Sequence, residues 1–150
     1  MTNREKYILS IYEELSDMGK HENVKLVKNT VNDGIYIKKT LKNYNIEIYK
    51  ILKNRQIKGI PKVYEIIEDE KELIIIEEYI HGLTLDKKYN KTDVETVKKI
   101  MEQLCNILKQ LHNMNPPIIH RDIKPTNIMV SNDDVVYLVD FNISREYDEN

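Results

Sequence analysis

The hydrophobic period of this chain changes once, and that change limits the folds open to it. Before about residue 80, apolar and polar residues mostly alternate in short runs. "NVKLVKN" and "GIYIKKTL" stand on either side of "TVNDG", whose Asn-Asp-Gly is a strong turn signal, so they predict a β-hairpin. "KVYEIIED" and "KELIIIEEYI", flanking "EDEK", predict a second strand pair. Between the pairs, "NIEIYKILKN" puts Ile48, Ile51 and Leu52 on one helical face, and Tyr7, Ile8, Ile11, Tyr12 and Leu15 predict a helix over 4–16. From Thr92 the period becomes helical. Thr92 with Glu95 forms a capping-box pattern, and Pro116-Pro117 closes the helix. Val94, Val97, Ile100, Met101, Leu104, Cys105, Ile107, Leu108 and Leu111 fall within an arc of about 160 degrees at 100 degrees per residue, which calls for protein on two sides. The expected class is α+β. Residues 1–80 form a small antiparallel sheet with one helix, "HGLTLDKKYNK" connects, and residues 81–150 are mainly helical.

Composition narrows the function classes. With 41% hydrophobic residues, 32% charged and a net charge of -2, the chain has neither the low hydrophobicity of a disordered segment nor a basic excess suited to nucleic acid. Cys105 is the only cysteine, so no internal disulfide forms, and its place in the apolar pattern predicts a small buried hydrophobe in a protein of the reducing cytoplasm. "MTNREKYILSIYEEL" lacks a signal-type apolar core, and no apolar run approaches a bilayer span, so no membrane segment is expected.

The chemistry is concentrated in "IIHRDIKPTNIMV", residues 118–130. Its apolar flanks anchor both ends in a core and hold the polar residues between them at a fixed mouth. There Asp122 can accept a proton or orient a hydroxyl, Asn127 can help bind a divalent cation, and Lys124 offers a point charge to a phosphoryl oxygen. The strand "VVYLVDFNIS" then delivers Asp140, a second carboxylate for a hard cation. Together they have the layout of metal-assisted phosphoryl transfer.

These residues closely resemble the protein kinase family, whose catalytic loop H-R-D-x-K-P-x-x-N matches His120 to Asn127 and whose D-F-G matches Asp140-Phe141-Asn142. The resemblance implies a kinase-like fold: a small antiparallel-sheet lobe with one helix, a hinge, and the first part of a helical large lobe. It implies Asp122 as catalytic base, Lys124 as the phosphate-neutralising lysine of Ser/Thr-directed members, and Asn127 and Asp140 as Mg2+ ligands, with ATP as cosubstrate and a protein hydroxyl as acceptor. Glu78 and Ile80 would offer backbone groups to adenine. Glu77 would stand at the gatekeeper position, where an acidic side chain implies either a polar partner or a shifted register. The ATP-anchoring lysine would be Lys39 or Lys38; strand alternation puts Lys39 on the face of Ile35, Ile37 and Leu41, favouring it. Its helix partner would be Glu47.

The pattern departs from the family in places. "LSDMGKHENVKLV" stands where the family has G-x-G-x-x-G-x-V, leaving Gly19 as the one glycine for close approach to phosphates. Asn142 replaces the glycine of D-F-G, a mild change because Asn tolerates positive φ. The A-P-E motif and later helices are absent, so the likeness covers nearly all of this chain and about half of a typical kinase domain. An apolar side of the 94–111 helix is then left without its neighbour, which predicts self-association, a completing partner or low stability. Two other functions fit the residues: a nucleotide-binding pseudokinase, suggested by the poor glycine loop, and a small-molecule phosphotransferase of kinase-like fold, against which Lys124-Pro125 argues.

Overall fold

The computed structural model describes residues 1–17, 23–89, 91 and 93–147. The chain forms two compact units: Met1–Lys53 with Lys62–Tyr79, and Asn54–Pro61 with Ile80–Asn150.

The first unit holds helix α1 (Asn3–Ser10), strands β1 (Tyr12–Asp17), β2 (Val24–Asn29) and β3 (Ile35–Leu41), helix α2 (Ile46–Asn54), and strands β4 (Val63–Asp69) and β5 (Glu72–Glu78). Its five strands run in the order β1-β2-β3-β5-β4, every neighbouring pair antiparallel. Thr2 and Glu5 cap α1 reciprocally, the Thr2 hydroxyl accepting from the Glu5 N–H and the Glu5 carboxylate from the Thr2 N–H. The helix expected over 4–16 therefore stops early, and Tyr12–Asp17 is a strand. Pairing explains the difference: Glu14 lies opposite Val27 and accepts from both Lys25 (2.6 Å) and Lys38 (3.0 Å), contacts that a helix could not make. Helical spacing in a short window yields to a sheet edge that completes the backbone ladder.

The β2–β3 hairpin forms as its turn residues predict. The Asn29 side chain accepts from the Val31 and Asn32 N–H groups, Asn32 accepts from Gly34, and Asp33 takes the left-handed conformation at φ 58. A Cβ at Gly34 would lie 2.8 Å from the Tyr36 ring, which would have to shift to admit it. Helix α2 buries Ile48, Tyr49 and Leu52.

The second unit contains strand β6 (Gly82–Thr84), helices α3 (Leu85–Lys88) and α4 (Val94–His112), and strands β7 (Ile118–Ile119), β8 (Ile128–Ser131), β9 (Val136–Leu138) and β10 (Arg145–Glu146). Two small sheets, β6-β8-β9 and β10-β7, accompany its long helix, so this half is less helical than its sequence suggests and the connector itself carries β6 and α3. Residues 54–61, which sequence alone assigns to the first half, join this unit: the Leu138 N–H donates to the Gly59 carbonyl at 2.8 Å. Gly59 has φ 87, and a Cβ would meet the Ile107 side chain at 2.5 Å.

Helix α4 begins at Asp93, which accepts from the Thr96 N–H at 2.8 Å; Thr92 lies outside the described residues. The Thr96 backbone and hydroxyl hold the Asp93 carboxyl below its usual range. Only part of the broad apolar arc is covered. Ile100, Leu104, Ile107 and Leu111 are buried, whereas Val97 and Met101 are 45% and 49% exposed and Cys105 is exposed, contrary to the buried thiol expected. The two stripes lie side by side on the wheel, and β9 packs against one of them. Among the described residues no helix is long and apolar enough to cross a membrane.

Candidate active site

In the first unit the inward face of β3 and β5 carries Lys39 and Glu77. Ile37 pairs with Glu77 and Lys39 with Ile75, so the two charged side chains are diagonal neighbours on one face. Lys39 Nζ lies 2.5 Å from Glu77 Oε1, with the side chains 12% and 10% exposed. Ile37, Leu41, Leu73 and Ile75 are buried along the same face. Lys38 points the other way, to Glu14. Glu47, expected to pair with Lys39, does not: it sits in the first turn of α2 with its side chain 60% exposed and bound to Lys50 at 2.7 Å. Lys39 already has a carboxylate one strand away, and Glu47 lies one helical turn from a lysine that competes for it. The polar partner implied for Glu77 is therefore Lys39. The Glu78 N–H donates to the Lys62 carbonyl, and its carboxylate accepts from the Lys62 N–H. Gly19 lies outside the described residues.

The second unit holds the loop of residues 118–130, and Ile80 is buried there. Strands β7 and β8 deliver the loop's two ends, and a single 3-10 turn, Pro125–Asn127, closes it. Asn127 is buried and donates from Nδ2 to both the main-chain carbonyl and Oδ2 of Asp122, each at 2.9 Å. Both amide hydrogens are thereby used, leaving Oδ1 as the acceptor. Lys124 Nζ lies 3.1 Å from the same Asp122 Oδ2. Hydrogen bonding from Lys124, aided by its charge and by Asn127, holds the Asp122 carboxyl below its ordinary range despite partial desolvation. Asp122 is thus an ionised carboxylate held in one orientation.

His120 ties this loop to the segment around Asp140. Its ring is buried; Nε2–H donates to the Val139 carbonyl at 2.9 Å, and Nδ1 accepts from the Asp122 N–H at 3.2 Å. These two bonds require the neutral imidazole, and burial lowers its pKa, outweighing the attraction of Asp140 and Asp122. Phe141 meets the ring edge-on at 4.7 Å, Ser144 Oγ donates to the His120 carbonyl at 3.0 Å, and the Val139 N–H donates to the Asn127 carbonyl at 2.9 Å. Val139 therefore brings Asp140 alongside Asn127. Two non-glycine residues here occupy the left-handed region, Arg121 at φ 72 and Asp140 at φ 64. Such conformations persist where surrounding bonds over-determine them, as this network does. The positive φ of the Asp-Phe-Asn turn belongs to Asp140 rather than to Asn142, whose N–H donates to Asp140 Oδ1 at 3.3 Å.

The His120 geometry sets a pH dependence. Its folded pKa is depressed below the ordinary 6.5, so in the window just beneath that value the unfolded chain binds more protons than the folded one. Its contribution is complete above pH 6.5 and is lost as pH falls through the folded pKa. Urea unfolding should give a lower stability at pH 5.5 than at pH 7.5, with a smaller pH slope in His120→Asn; equal slopes would contradict the neutral-imidazole assignment.

Among the described residues no three His, Cys, Asp or Glu side chains gather as a metal cage. Asn127 and Asp140 carry hard oxygen donors of the type suited to Mg2+, which keeps several waters and shares its coordination with phosphates. The amide orientation of Asn127, oxygen left over, fits such an ion.

The family profile described as the protein kinase domain matches residues 12–150. The chain belongs to the protein kinase family. Myosin light chain kinase family member 4 of Homo sapiens is 31% identical over 93 residues, which are 57% of this chain and 23% of that protein. Serine/threonine-protein kinase D of Synechocystis is 36% identical over 88 residues, covering 58% of this chain and 17% of that protein. Serine/threonine-protein kinase PKH1 of Saccharomyces cerevisiae is 33% identical over 132 residues, 86% of this chain and 17% of that protein. This kinase-family chain thus spans less than a quarter of each of these relatives. The five-stranded antiparallel sheet agrees with the kinase-like fold expected from sequence. Sequence reasoning missed Glu77 as the partner of Lys39, although the acidic gatekeeper was the signal, and missed Ser144, whose single hydroxyl bond no pattern announces.

Proposed function

We propose that this chain is the N-terminal portion of a Ser/Thr-directed protein kinase domain and that Asp122 is its catalytic base. The observation that carries the reading is the doubly held Asp122 carboxylate, ionised beside Lys124 and oriented by Asn127. In the reaction the acceptor hydroxyl gives its proton to Asp122 as its oxygen bonds to the γ-phosphorus of ATP. The bond from that phosphorus to the bridging oxygen breaks, and ADP leaves. Lys124 offsets charge on the transferring group, Lys39 takes up phosphate oxygens, and the Glu78 and Ile80 backbone groups serve adenine. Asn127 and Asp140 would hold Mg2+, which when bound neutralises phosphate charge. The reducing cytoplasm suits a chain whose one thiol is exposed and unpaired.

Incubation of the 150-residue chain with γ-labelled ATP, Mg2+ and a generic protein acceptor tests this. Label on serine or threonine supports the reading, and label on a small-molecule hydroxyl alone overturns its protein-directed part. Binding of ATP without transfer favours the pseudokinase alternative, for which the single glycine of "LSDMGKHENVKLV" argues.

The exposed Val97-Met101-Cys105 stripe supports a covering protein surface on α4, either a second copy or a completing partner. In the purified chain only a second copy is available. Sedimentation should show a concentration-dependent dimer; a stable monomer at every concentration would leave only the completing partner.

A further inference from the structure

The Lys39–Glu77 pair is unusual in where its carboxylate comes from. Both members are about nine-tenths buried, and both belong to strands joined by a continuous backbone ladder, so the sheet itself sets their separation. Removing either charge would strand the other against Ile37, Leu41, Leu73 and Ile75, a costly arrangement. A carboxylate on a helix could do the same work only while the helix held its place. Glu47, the helix carboxylate available, is instead bound to Lys50 in solvent.

We propose that Glu77 is the positioning residue for Lys39, keeping its ammonium aimed so that hydrogens not given to Glu77 remain for phosphate oxygens, and that Glu47 has no part in this. The inference rests on the reading of Lys39 as the ATP-anchoring lysine. An ammonium has three donors, and Glu77 Oε1 occupies one. Because the pair is built into β3 and β5, nucleotide affinity is set independently of where α2 sits.

The test compares ATP with adenosine, which lacks the phosphates, by calorimetric titration of the whole chain. For Glu77→Gln the ATP dissociation constant should rise roughly tenfold or more while that of adenosine stays within about twofold, as expected when one charge-assisted contact is lost. Glu47→Gln should leave both within about twofold. Equal weakening of ATP and adenosine in Glu77→Gln would mean a general structural role and overturn the inference, as would unchanged or tighter ATP binding, or loss of ATP binding in Glu47→Gln. Should Glu77→Gln fail to fold, Glu77→Asp keeps the charge on a shorter arm and must still weaken ATP selectively; no selective loss there is equally fatal. A native chain that binds neither compound would overturn the kinase-site reading, and this inference with it, whereas ATP binding that depends on Glu47 would overturn this inference alone.

Discussion

Asp122→Asn should lower phosphoryl transfer by about 10² to 10⁴, the range typical of a positioned general base. The substitution removes the proton acceptor while keeping the shape: an amide oxygen at that position can still accept from Asn127 Nδ2, now donating at 2.9 Å. The main-chain bond from Asn127 to the residue 122 carbonyl does not depend on the side chain at all. Lys124 loses its carboxylate, but its side chain is 52% exposed and water can take over. Loop and fold should therefore survive, and thermal unfolding should show little change. Single-turnover transfer from ATP, measured beside that control, is the deciding quantity. Retention of transfer within about twofold of the native chain would remove Asp122 from the role of base.

On helix α4, Leu111→Ala should destabilise the second unit by about 2–5 kcal/mol, the cost of a fully buried leucine with the cavity it leaves. Leu111 is 0% exposed, and the loss is a large part of the 5–15 kcal/mol typical of a whole domain. Met101→Ala on the adjacent stripe should cost no more than about 0.5 kcal/mol, because its side chain is 49% exposed and Ala is an equally good helix former. Urea unfolding of both variants, at a protein concentration low enough to keep the chain monomeric, reads the difference. Repetition at high concentration adds a second reading: a penalty for Met101→Ala that appears only there would place its stripe in a self-association surface. A large penalty at both concentrations would mean that the outer stripe is buried within the monomer.

Much of this was legible in the residues because local signals agreed with the final fold. The Asn-Asp-Gly turn, the second strand pair and the long helix all appear where their patterns put them, the helix capped by Asp93. Tyr12–Asp17 misled because its spacing suits a helix face while its charges suit a strand beside Lys25 and Lys38, lysines that are distant in sequence. Cys105 misled because an arc of apolar residues does not say how much of itself finds a neighbour. Glu47 misled because its i+3 lysine is as near as any partner across the sheet.

The residues alone determined the family, since His120, Arg121, Asp122, Lys124, Asn127 and Asp140 carry their donor and acceptor types and their spacing whatever the chain does around them. Tertiary structure decided who pairs with whom: Lys39 with Glu77, the His120 ring with the Val139 carbonyl, and residues 54–61 with the second unit. The physical reason is range. Propensities, caps and turns act over a few residues, whereas an ion pair or buried hydrogen bond is settled by competition among every partner that folding brings within about 3 Å, at low dielectric where leaving one unmet is costly.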